Sequence, residues 1–478
     1  MKPGRDYKWT VLTVTTVGMF MANLDASIVV VGLPTVLDDL KATIVHGIWI
    51  ITGYRLMLVV LGVLLGRLAD IHGRVKYYNI GFIIFTAGSL FCGLSQNGPE
   101  LIIFRLVQGA GAALIIANSA AIITDAFPRS QLGLALGVNM MALNIGAVAG
   151  YTLSGVMITY FGWRSIFYLN VPVGIFGTVW AYIRLKEVSI RDLNQRFDYL
   201  GGALYTASLL LVLLGLTMGD PTSWNDLIVI GAGLGGFVAL IFVENRQEFP
   251  TLDLSLFKIR MFAAGNLSSF LDAIAYHCGP FLRSIYLQLV MGYSAYTTGI
   301  MLIPMEVLVF TVSPISGRLA DKFGSRILSS IGLAVNAAGL FWFSTLTPQS
   351  GYGAVLVSLM LFGFGRALFA SPNSSSIMSS APAQKRGIAN GVRMTLIQTG
   401  SVLSVPLSLL LMTFVMPYSR LSQIVSSSQF VNGGELTIFS EAINHACFLL
   451  GIVTLLAIIP SSLRGPRQTK EQPAVTEQ

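Results

Sequence analysis

The sequence is poor in charged residues. Only 11% of its 478 residues are Asp, Glu, Lys or Arg, whereas a soluble domain usually carries roughly 25%. Hydrophobic residues make up 54% of the chain, and its mean hydropathy is +0.72. A soluble fold of this length could not bury that much apolar surface. The composition excludes a soluble enzyme, a disordered chain and a DNA-binding domain, and it predicts an all-α protein that crosses the membrane many times.

Cysteine and histidine are also scarce. The three cysteines, Cys92, Cys278 and Cys447, lie in apolar segments, and no spacing typical of a disulfide framework or a metal site occurs. The glycines fall in helical segments, so the phosphate-binding loop of ATPases is missing from the sequence. We therefore expect no metal, no cofactor, no catalytic residue set and no nucleic-acid partner, and we expect that the protein is not an enzyme.

Long apolar runs fill most of the chain. A helix of about 20 apolar residues crosses the hydrocarbon core of a bilayer, and the sequence offers fourteen such windows. The two central windows, Tyr199–Met218 and Leu227–Val243, contain no charged residue. The first apolar run follows Lys2–Lys8 as in a signal peptide, but it is long and lacks a convincing cleavage site. We interpret it as a retained first span.

Lys and Arg are distributed unevenly between the predicted loops. If the N-terminus lies inside, twenty fall in inside segments and seven within spans, and three lie outside: Lys41, Arg164 and Arg420. Cytoplasmic loops carry an excess of these residues, so both termini are predicted to be cytoplasmic. The net charge of +8 then follows from the loops rather than from nucleic-acid binding.

A short motif occurs twice. Gly-Arg-Leu-Ala-Asp stands at Gly66–Asp70 and again at Gly317–Asp321, and Arg105 and Arg366 lie in corresponding predicted helices. Such repeats predict two six-helix halves that alternate around a site at the bilayer midplane. The predicted domains are an N-terminal bundle (1–186), two inserted helices with linkers (187–260), a C-terminal bundle (261–463) and a disordered cytoplasmic tail (464–478).

Four segments resemble motifs of the major facilitator superfamily. Gly66–Lys76 resembles its loop motif, and Arg105–Gly111 resembles its fourth-helix motif. Leu24–Pro34 is similar to the first-helix motif of the fourteen-helix drug:proton antiporters, and Gly162–Pro172 to the entry of the sixth helix in that branch. The resemblance covers almost the whole chain. It implies a major facilitator fold with 14 transmembrane helices (6 + 2 + 6) in the cell (inner or plasma) membrane.

The fifth-helix motif departs from the pattern of that branch. The branch reads G-P-x-x-G-G, whereas this chain has Gly146, Gly150 and Tyr151 at its first, fifth and sixth positions, with alanine in place of the proline. Gly146 and Gly150 still permit close helix packing, while Tyr151 adds bulk and a hydroxyl. Antiport is therefore supported by fewer motif residues than the fold.

Three carboxylates lie well inside the predicted spans: Asp25, Asp272 and Glu306. Ionisable residues at this depth are costly and commonly functional. The resemblance assigns proton coupling or binding of a substrate cation to Asp25, and a purely structural pairing of Asp25 is the alternative. Arg55 lies at a similar depth, so we hypothesise an Asp25–Arg55 ion pair. The proton would then be carried by Glu306 or Asp272.

The ninth predicted span carries a polar face. Asp272, Tyr276 and Arg283 are separated by four and seven residues, so they share one side of a helix. Such a face lines a water-filled cavity or pairs with another helix. Aromatic and methionine side chains suit a broad cavity for varied cations. The candidate cavity residues are Tyr54, Tyr276, Arg283 and Met305.

The two remaining motif groups have conformational or packing roles. The loop motif is interpreted as a conformational latch, whose acidic residue pairs with basic neighbours in one state and releases them in the other. The latch comprises Gly66, Asp70, Gly73, Arg74 and Lys76, with Asp321 in the second copy. The fourth-helix motif is expected to bind backbone carbonyls or a carboxylate; the resemblance suggests proton transfer, and helix packing is the alternative. Its residues are Arg105, Gln108 and Gly109.

The resemblance thus implies a monomeric secondary transporter in the lipid bilayer. Its expected partners are protons and a small-molecule substrate, and its expected activity is proton-coupled efflux of hydrophobic, cationic drugs or toxicants by alternating access. One alternative is a proton-coupled exporter of a specific metabolite, lipid or siderophore. Another is a membrane receptor or structural protein, although a static scaffold has no need for two matched gates.

Overall fold

The fold is entirely helical in the part of the chain that the structure describes. The computed structural model describes residues 7–187, 198–217, 223–247, 253–382, 385–427 and 433–464. The first seven α-helices are α1 (Tyr7–Asp39), α2 (Ile44–His72), α3 (Arg74–Leu94), α4 (Gly98–Ala126), α5 (Arg129–Phe161), α6 (Ser165–Tyr168) and α7 (Asn170–Arg184). The next two are α8 (Tyr199–Thr217) and α9 (Trp224–Glu244). The remaining helices are α10 (Arg260–Ile285), α11 (Ala295–Phe323), α12 (Ser325–Phe343), α13 (Tyr352–Ser380), α14 (Arg386–Thr413), α15 (Tyr418–Ser427), α16 (Gly433–Leu456) and α17 (Ile458–Ser462).

The described residues contain thirteen helical segments long and apolar enough to cross a membrane, when α6–α7 and α16–α17 are each counted as one. The prediction of an all-α, multi-pass membrane protein is confirmed. The ninth predicted span, α10, has 26 residues but is not among the thirteen. Its Arg260, Asp272 and Arg283, together with several Ser and Asn residues, lower its hydropathy. The count of fourteen membrane helices therefore stays a prediction.

The repeated sequence motif is also a structural repeat. The helices that carry it, α2 and α11, are both 29 residues long. Each is followed by a single glycine, and the next helix starts directly after that glycine. Gly73 (φ 116°) donates its N–H to Ala69 O at 2.8 Å, and Gly324 (φ 88°) donates to Ala320 O at 2.9 Å. Positive φ angles favour glycine, which explains why both copies have one at this turn.

Helices of the N-terminal and C-terminal parts pack together at one end of the molecule. One large core cluster combines the second half of α1 and the first half of α2 with the second half of α10 and the first half of α11. Here α5 and α11 approach so closely that a Cβ atom at Gly155 would lie 2.4 Å from Tyr296 Cα. A Cβ atom at Gly299 would lie 2.4 Å from Tyr151 O. This end of the structure is closed.

The opposite end is open. Glycines in the other halves of α2, α5 and α14 face empty space, because a Cβ atom built on them would meet no described atom within 4 Å: Gly62, Gly133, Gly137, Gly387 and Gly391. The core clusters at this end are also separate. One consists of residues of the N-terminal part, from Val11 to Leu185, and the other of residues of the C-terminal part, from Leu256 to Leu396. The N-terminal and C-terminal parts are therefore separated at the end where α1 begins.

The helix α8 packs against one helix of each part. Its apolar residues form a cluster with residues of α2 and α14. The Tyr205 hydroxyl lies 2.5 Å from Thr399 Oγ1 on α14, and Trp49 Nε1 on α2 donates to Thr217 Oγ1 at 3.1 Å. The predicted inserted helices thus lie beside the α2–α14 contact.

The ten-residue helix α15 was not predicted from the sequence, which indicated only a loop there. Its buried residues Leu421, Ile424 and Val425 follow helical spacing and belong to the large core cluster at the closed end. Arg420 at its start pairs with Glu435 at the start of α16. This short amphipathic helix covers the closed end.

Candidate functional site

A buried ion pair lies among the N-terminal helices. Asp25 on α1 has 0% exposure and pairs with Arg105 on α4, which has 1%. Asp25 Oδ1 also accepts hydrogen bonds from Gln108 Nε2 at 2.8 Å and from Asn170 Nδ2 at 2.7 Å. The carboxylate therefore receives three donors, from α4 and α7, and this compensates for its removal from water.

The guanidinium of Arg105 makes further contacts besides the ion pair. Its Nε donates to Ile50 O at 3.1 Å, and Nη1 donates to Gln108 Oε1 at 2.7 Å. Its charged carbon lies 4.3 Å from the ring centre of Tyr54, a cation–π distance. The Tyr54 hydroxyl in turn donates to Ala22 O at 2.8 Å. Arg105 and Gln108 thus bind a carboxylate and a backbone carbonyl, and the network fixes α1, α2, α4 and α7 to one another.

The hypothesised Asp25–Arg55 pair is not formed in this structure. Asp25 pairs with Arg105 instead, because α4 directs its arginine at α1 while α2 directs Arg55 elsewhere. Arg55 Nη1 donates to Ser401 Oγ on α14 at 3.2 Å. Equal depth in the membrane did not bring the two side chains together.

A second ion pair joins helices of the C-terminal part. Asp272 on α10 is fully buried and pairs with Arg366 on α13. Asn336 Nδ2 on α12 donates to Asp272 Oδ1 at 3.1 Å, and Arg366 lies 4.2 Å from the ring centre of Tyr276. Arg366 retains 16% side-chain exposure, so this pair is less enclosed than the first. Both pairs join the first helix of their part to its fourth membrane-spanning helix.

Of the three predicted membrane carboxylates, Glu306 on α11 is the one that has no ion pair among the described residues. It has 7% exposure. The one hydrogen bond described for it comes from the Tyr276 hydroxyl to Oε1 at 3.4 Å, which is long for a bond of this type. Pro304 lies two residues before Glu306 in the same helix. A buried carboxyl with so little compensation can gain or lose a proton without breaking an ion pair.

Arg55 on α2 is a cation in a comparable position. It is half-buried, and within the described residues it has no ion-pair partner; its one described hydrogen bond goes to Ser401. Tyr151 interacts electrostatically with both Arg55 and Glu306. The residue at which the fifth-helix motif departs from its usual pattern therefore lies near both charges.

Among the four predicted cavity residues, Tyr276 is the one that keeps some exposed surface. Tyr54, Arg283 and Met305 are fully buried, and their assignment to the cavity is wrong for this conformation. Tyr54 packs under Arg105, and Met305 packs against α13 at Gly363. The polar face of α10 thus pairs mainly with other helices, which was the alternative to lining the cavity.

Arg283 shows how α10 pairs internally. Its Nη2 donates to Ser358 Oγ on α13 at 3.2 Å, and its charged carbon lies 4.2 Å from the ring centre of Phe362. Its Nε and Nη1 have no described hydrogen-bond partner. Phe343 on α12 and Phe362 on α13 pack against this fully buried side chain.

The sequence profile of the Major Facilitator Superfamily matches residues 15–405 and 259–474. The chain belongs to this superfamily. It is therefore a transporter and not an enzyme, and it resides in the cell membrane as a multi-pass protein. Superfamily members act on small-molecule substrates and usually work as monomers.

Similar proteins include transporters and drug-resistance proteins. The riboflavin transporter RibZ of Clostridioides difficile is 31% identical over 80% of this chain and 83% of its own length. The tetracenomycin C resistance and export protein of Streptomyces glaucescens is 29% identical over 84% and 75%. The multidrug resistance protein Stp of Mycobacterium tuberculosis is 31% identical over 80% and 71%.

Solved structures share the superfamily fold at low sequence identity. A bacterial homolog of the human lysosomal transporter Spinster, in an inward-facing and unoccupied conformation, has a TM-score of 0.73 at 14% identity. That match covers 97% of this chain and 98% of the other. A D-xylose–proton symporter has a TM-score of 0.66 at 16% identity, covering 96% and 98%. These likenesses concern the fold alone.

The superfamily's loop motif makes inter-helix contacts at the open end. Arg74 Nη1 pairs with Asp125 Oδ1 on α4 at 2.7 Å, and Glu187 accepts the N–H groups of Arg74 and Val75 at 3.1 and 3.0 Å. Lys76 is exposed. The side chains of three predicted latch residues lie outside the described part of the structure: Gly66, Asp70 and Asp321. The latch therefore stays a prediction.

The motif glycines mark close helix contacts. A Cβ atom at Gly109 would lie 2.7 Å from Tyr54 O on α2. Cβ atoms at Gly146 and Gly150 would lie 2.4 and 2.6 Å from backbone oxygens of α1. As expected for small residues in membrane helices, these positions let backbones approach where a side chain would not fit.

Sequence reasoning missed three polar residues of the site: Asn170, Asn336 and Ser401. Each is uncharged and lies in a membrane helix, where it contacts one of the charged groups described above. Asn170 begins α7 inside the segment that resembled the sixth-helix entry.

Proposed function

We propose that this protein is a proton-coupled exporter of hydrophobic, drug-like molecules that works by alternating access. The names of its relatives support export: two are resistance or export proteins, and one transports riboflavin. The closed and open ends of the helix bundle correspond to one of the two states that alternating access requires.

The observation that carries the coupling proposal is the contrast between Glu306 and the other two carboxylates. Asp25 and Asp272 each hold an arginine, whereas Glu306 has no cation among the described residues. A carboxyl group in a poorly solvated site holds its proton more readily, and an arriving cation favours loss of that proton. Glu306 would exchange a proton for the basic group of a substrate, and Asp25 and Asp272 would hold helices together.

The topology belongs to the same proposal. The division at residues 186, 260 and 463, with both termini in the cytoplasm, follows from the repeat and from the distribution of Lys and Arg. Under that orientation the open end faces the cytoplasm, and the closed end, capped by α15, faces outside. A substrate would enter from the cytoplasm or the inner leaflet in this conformation.

The test is transport into inverted membrane vesicles under an imposed proton gradient, with ethidium, ciprofloxacin and riboflavin as probes. The wild-type protein should accumulate at least one probe in response to the gradient, and Glu306→Gln should abolish that uptake. Glu441→Gln is the matched control, because Glu441 is an exposed carboxylate on α16. It should transport like the wild type.

Two outcomes would contradict the proposal. If well-folded wild-type protein moved none of the probes when the gradient was imposed, proton-driven export of drug-like molecules would be wrong. If Glu306→Gln retained gradient-driven uptake, the coupling carboxyl would lie elsewhere. Uptake of riboflavin alone would favour the second candidate, a transporter for one flavin-like metabolite, which the similarity to RibZ supports.

A further inference from the structure

Arg55 and Glu306 occupy equivalent positions in the structural repeat. The helices α2 and α11 begin at Ile44 and Ala295 and end at His72 and Phe323, so one constant shift in numbering superimposes their bounds. The same shift relates Gly66 to Gly317 and Arg55 to Glu306. Each of these two residues is the twelfth in its helix. The repeat thus places a cation in one half and a carboxylate at the matching point of the other.

This equivalence separates the two residues from the buried ion pairs. Arg105 is the eighth residue of α4, whereas Arg366 is the fifteenth residue of α13, so these two arginines lie two helical turns apart in the repeat. Each is paired with a carboxylate of its own half. Arg55 and Glu306 have no such partner within the described residues, and they do not contact each other within the 4 Å of an ion pair.

An arginine in this place is hard to explain for a protein that moves simple lipophilic cations. A charged side chain inside the membrane is costly, and such residues usually face a bundle interior or a water-filled cavity. Arg55 would repel a cationic substrate, and it makes one described hydrogen bond, to Ser401, out of the five N–H donors of a guanidinium. Those donors suit a carboxylate or another acidic oxygen group, which a guanidinium binds through two parallel hydrogen bonds.

We infer that the transported molecule is amphoteric: a flat aromatic compound whose acidic group binds Arg55 and whose basic group binds Glu306. The inference rests on the proposed function and specifies its substrate class. Tyr151 interacts electrostatically with both charges and Tyr276 donates to Glu306, so two phenol groups lie near the two charges. The acidic group contacts α2, and the basic group contacts α11.

The same arrangement yields exchange of a substrate for a proton. When the ammonium group of the substrate reaches protonated Glu306, the carboxyl releases its proton to water and the carboxylate pairs with the ammonium. A purely anionic substrate on Arg55 would instead favour the protonated carboxyl, so substrate and proton would bind together. The other ionisable groups within electrostatic range of this pair are Tyr54, Arg105, Tyr151, Tyr276, His277 and Cys278.

The experiment compares a zwitterion with a cation on the purified full-length protein in nanodiscs. Ciprofloxacin carries a carboxylate and an ammonium at neutral pH, and ethidium carries a positive charge only. Arg55→Gln should weaken ciprofloxacin binding by about 10- to 100-fold, the value of a charged hydrogen-bonded contact, and should leave ethidium binding unchanged or tighter. Arg55→Lys should bind ciprofloxacin more tightly than Arg55→Gln and more weakly than the wild type. Arg184→Gln, which removes an exposed arginine at the end of α7, is the matched control and should change neither affinity.

The possible failures can be told apart. Equal ciprofloxacin binding by wild type and Arg55→Gln would overturn the inference, as would an equal loss of both ligands in that variant. If Arg55→Gln does not fold, Ser401→Ala frees the same guanidinium and should leave ciprofloxacin bound at least as tightly as the wild type does. A tenfold loss there would also overturn it. Gradient-driven uptake of ethidium by Arg55→Gln would show that the proposed function holds even where the inference fails.

Discussion

The strongest prediction concerns two substitutions of the same chemical kind. Asp25→Asn and Glu306→Gln each replace a buried membrane carboxylate by its amide. The first removes the charge that neutralises Arg105, and the second removes a charge that no described cation faces. We expect Asp25→Asn to destabilise the fold strongly and Glu306→Gln to leave it nearly intact.

The contacts of each residue give the magnitudes. Asp25 accepts from Arg105, Gln108 and Asn170, and an asparagine offers only one acceptor oxygen, so its amide NH2 group must face a donor. Removing one partner of a buried ion pair costs about 3–5 kcal/mol. Glu306 receives one hydrogen bond at 3.4 Å, which a glutamine oxygen can still accept. The cost of Glu306→Gln should therefore be below about 1 kcal/mol.

The assay is reversible unfolding in mixed detergent micelles with increasing dodecyl sulfate, followed by far-ultraviolet circular dichroism. Asp25→Asn should unfold at a clearly lower dodecyl sulfate fraction than the wild type. The unfolding curve of Glu306→Gln should coincide with that of the wild type. The double variant Asp25→Asn/Arg105→Gln should recover part of the loss, since it leaves no unpaired charge. Equal stability of the two single variants would refute the division of the carboxylates into structural and exchangeable groups.

Three further predictions concern other parts of the chain. The charge-exchanged variant Arg55→Glu/Glu306→Arg should bind ciprofloxacin within about tenfold of wild type in nanodiscs, whereas Arg55→Glu alone should bind at least about tenfold more weakly. Gly155→Val should force α5 from α11 at a cost of about 1–3 kcal/mol and should raise the labelling of cysteines placed at the closed end. Partial burial raises the pKa of Asp253, but the hydrogen bonds from Lys385 and Ser255 and the charge of Lys385 together hold it below its usual value. Lys385→Ala should therefore cost below about 1 kcal/mol at neutral pH, and the cost should vanish only once the pH falls below the lowered pKa of Asp253, where its carboxyl is protonated in the folded protein, as measured by detergent unfolding against pH.

The fold was largely predictable because a bilayer imposes a strong and simple pattern. Apolar runs of sufficient length gave nearly all the long helices, and the repeated Gly-Arg-Leu-Ala-Asp gave the matching turns at Gly73 and Gly324. One element resisted this reasoning. The helix α15 is too short and too polar to resemble a span.

The site was less predictable than the fold, because depth along a helix does not determine which neighbour a side chain meets. Asp25 and Arg55 have similar depths, yet Arg105 supplies the counter-charge. The rotation of α2 and α4 about their axes decides this, and that rotation depends on packing at glycines such as Gly109. The uncharged donor Asn170 had no signal of its own, although it binds Asp25 as closely as Gln108 does.

Intramembrane charge alone therefore does not identify a functional residue in this protein; the relation of the charge to the internal repeat does. Asp25, Arg105, Asp272 and Arg366 satisfy one another within their own halves, and moving one half against the other need not disturb them. Arg55 and Glu306 stand at one repeat position with opposite signs, and each is left to bind what passes between the halves. A ligand that joins them would link the halves in one state, and protonation of Glu306 would release that link.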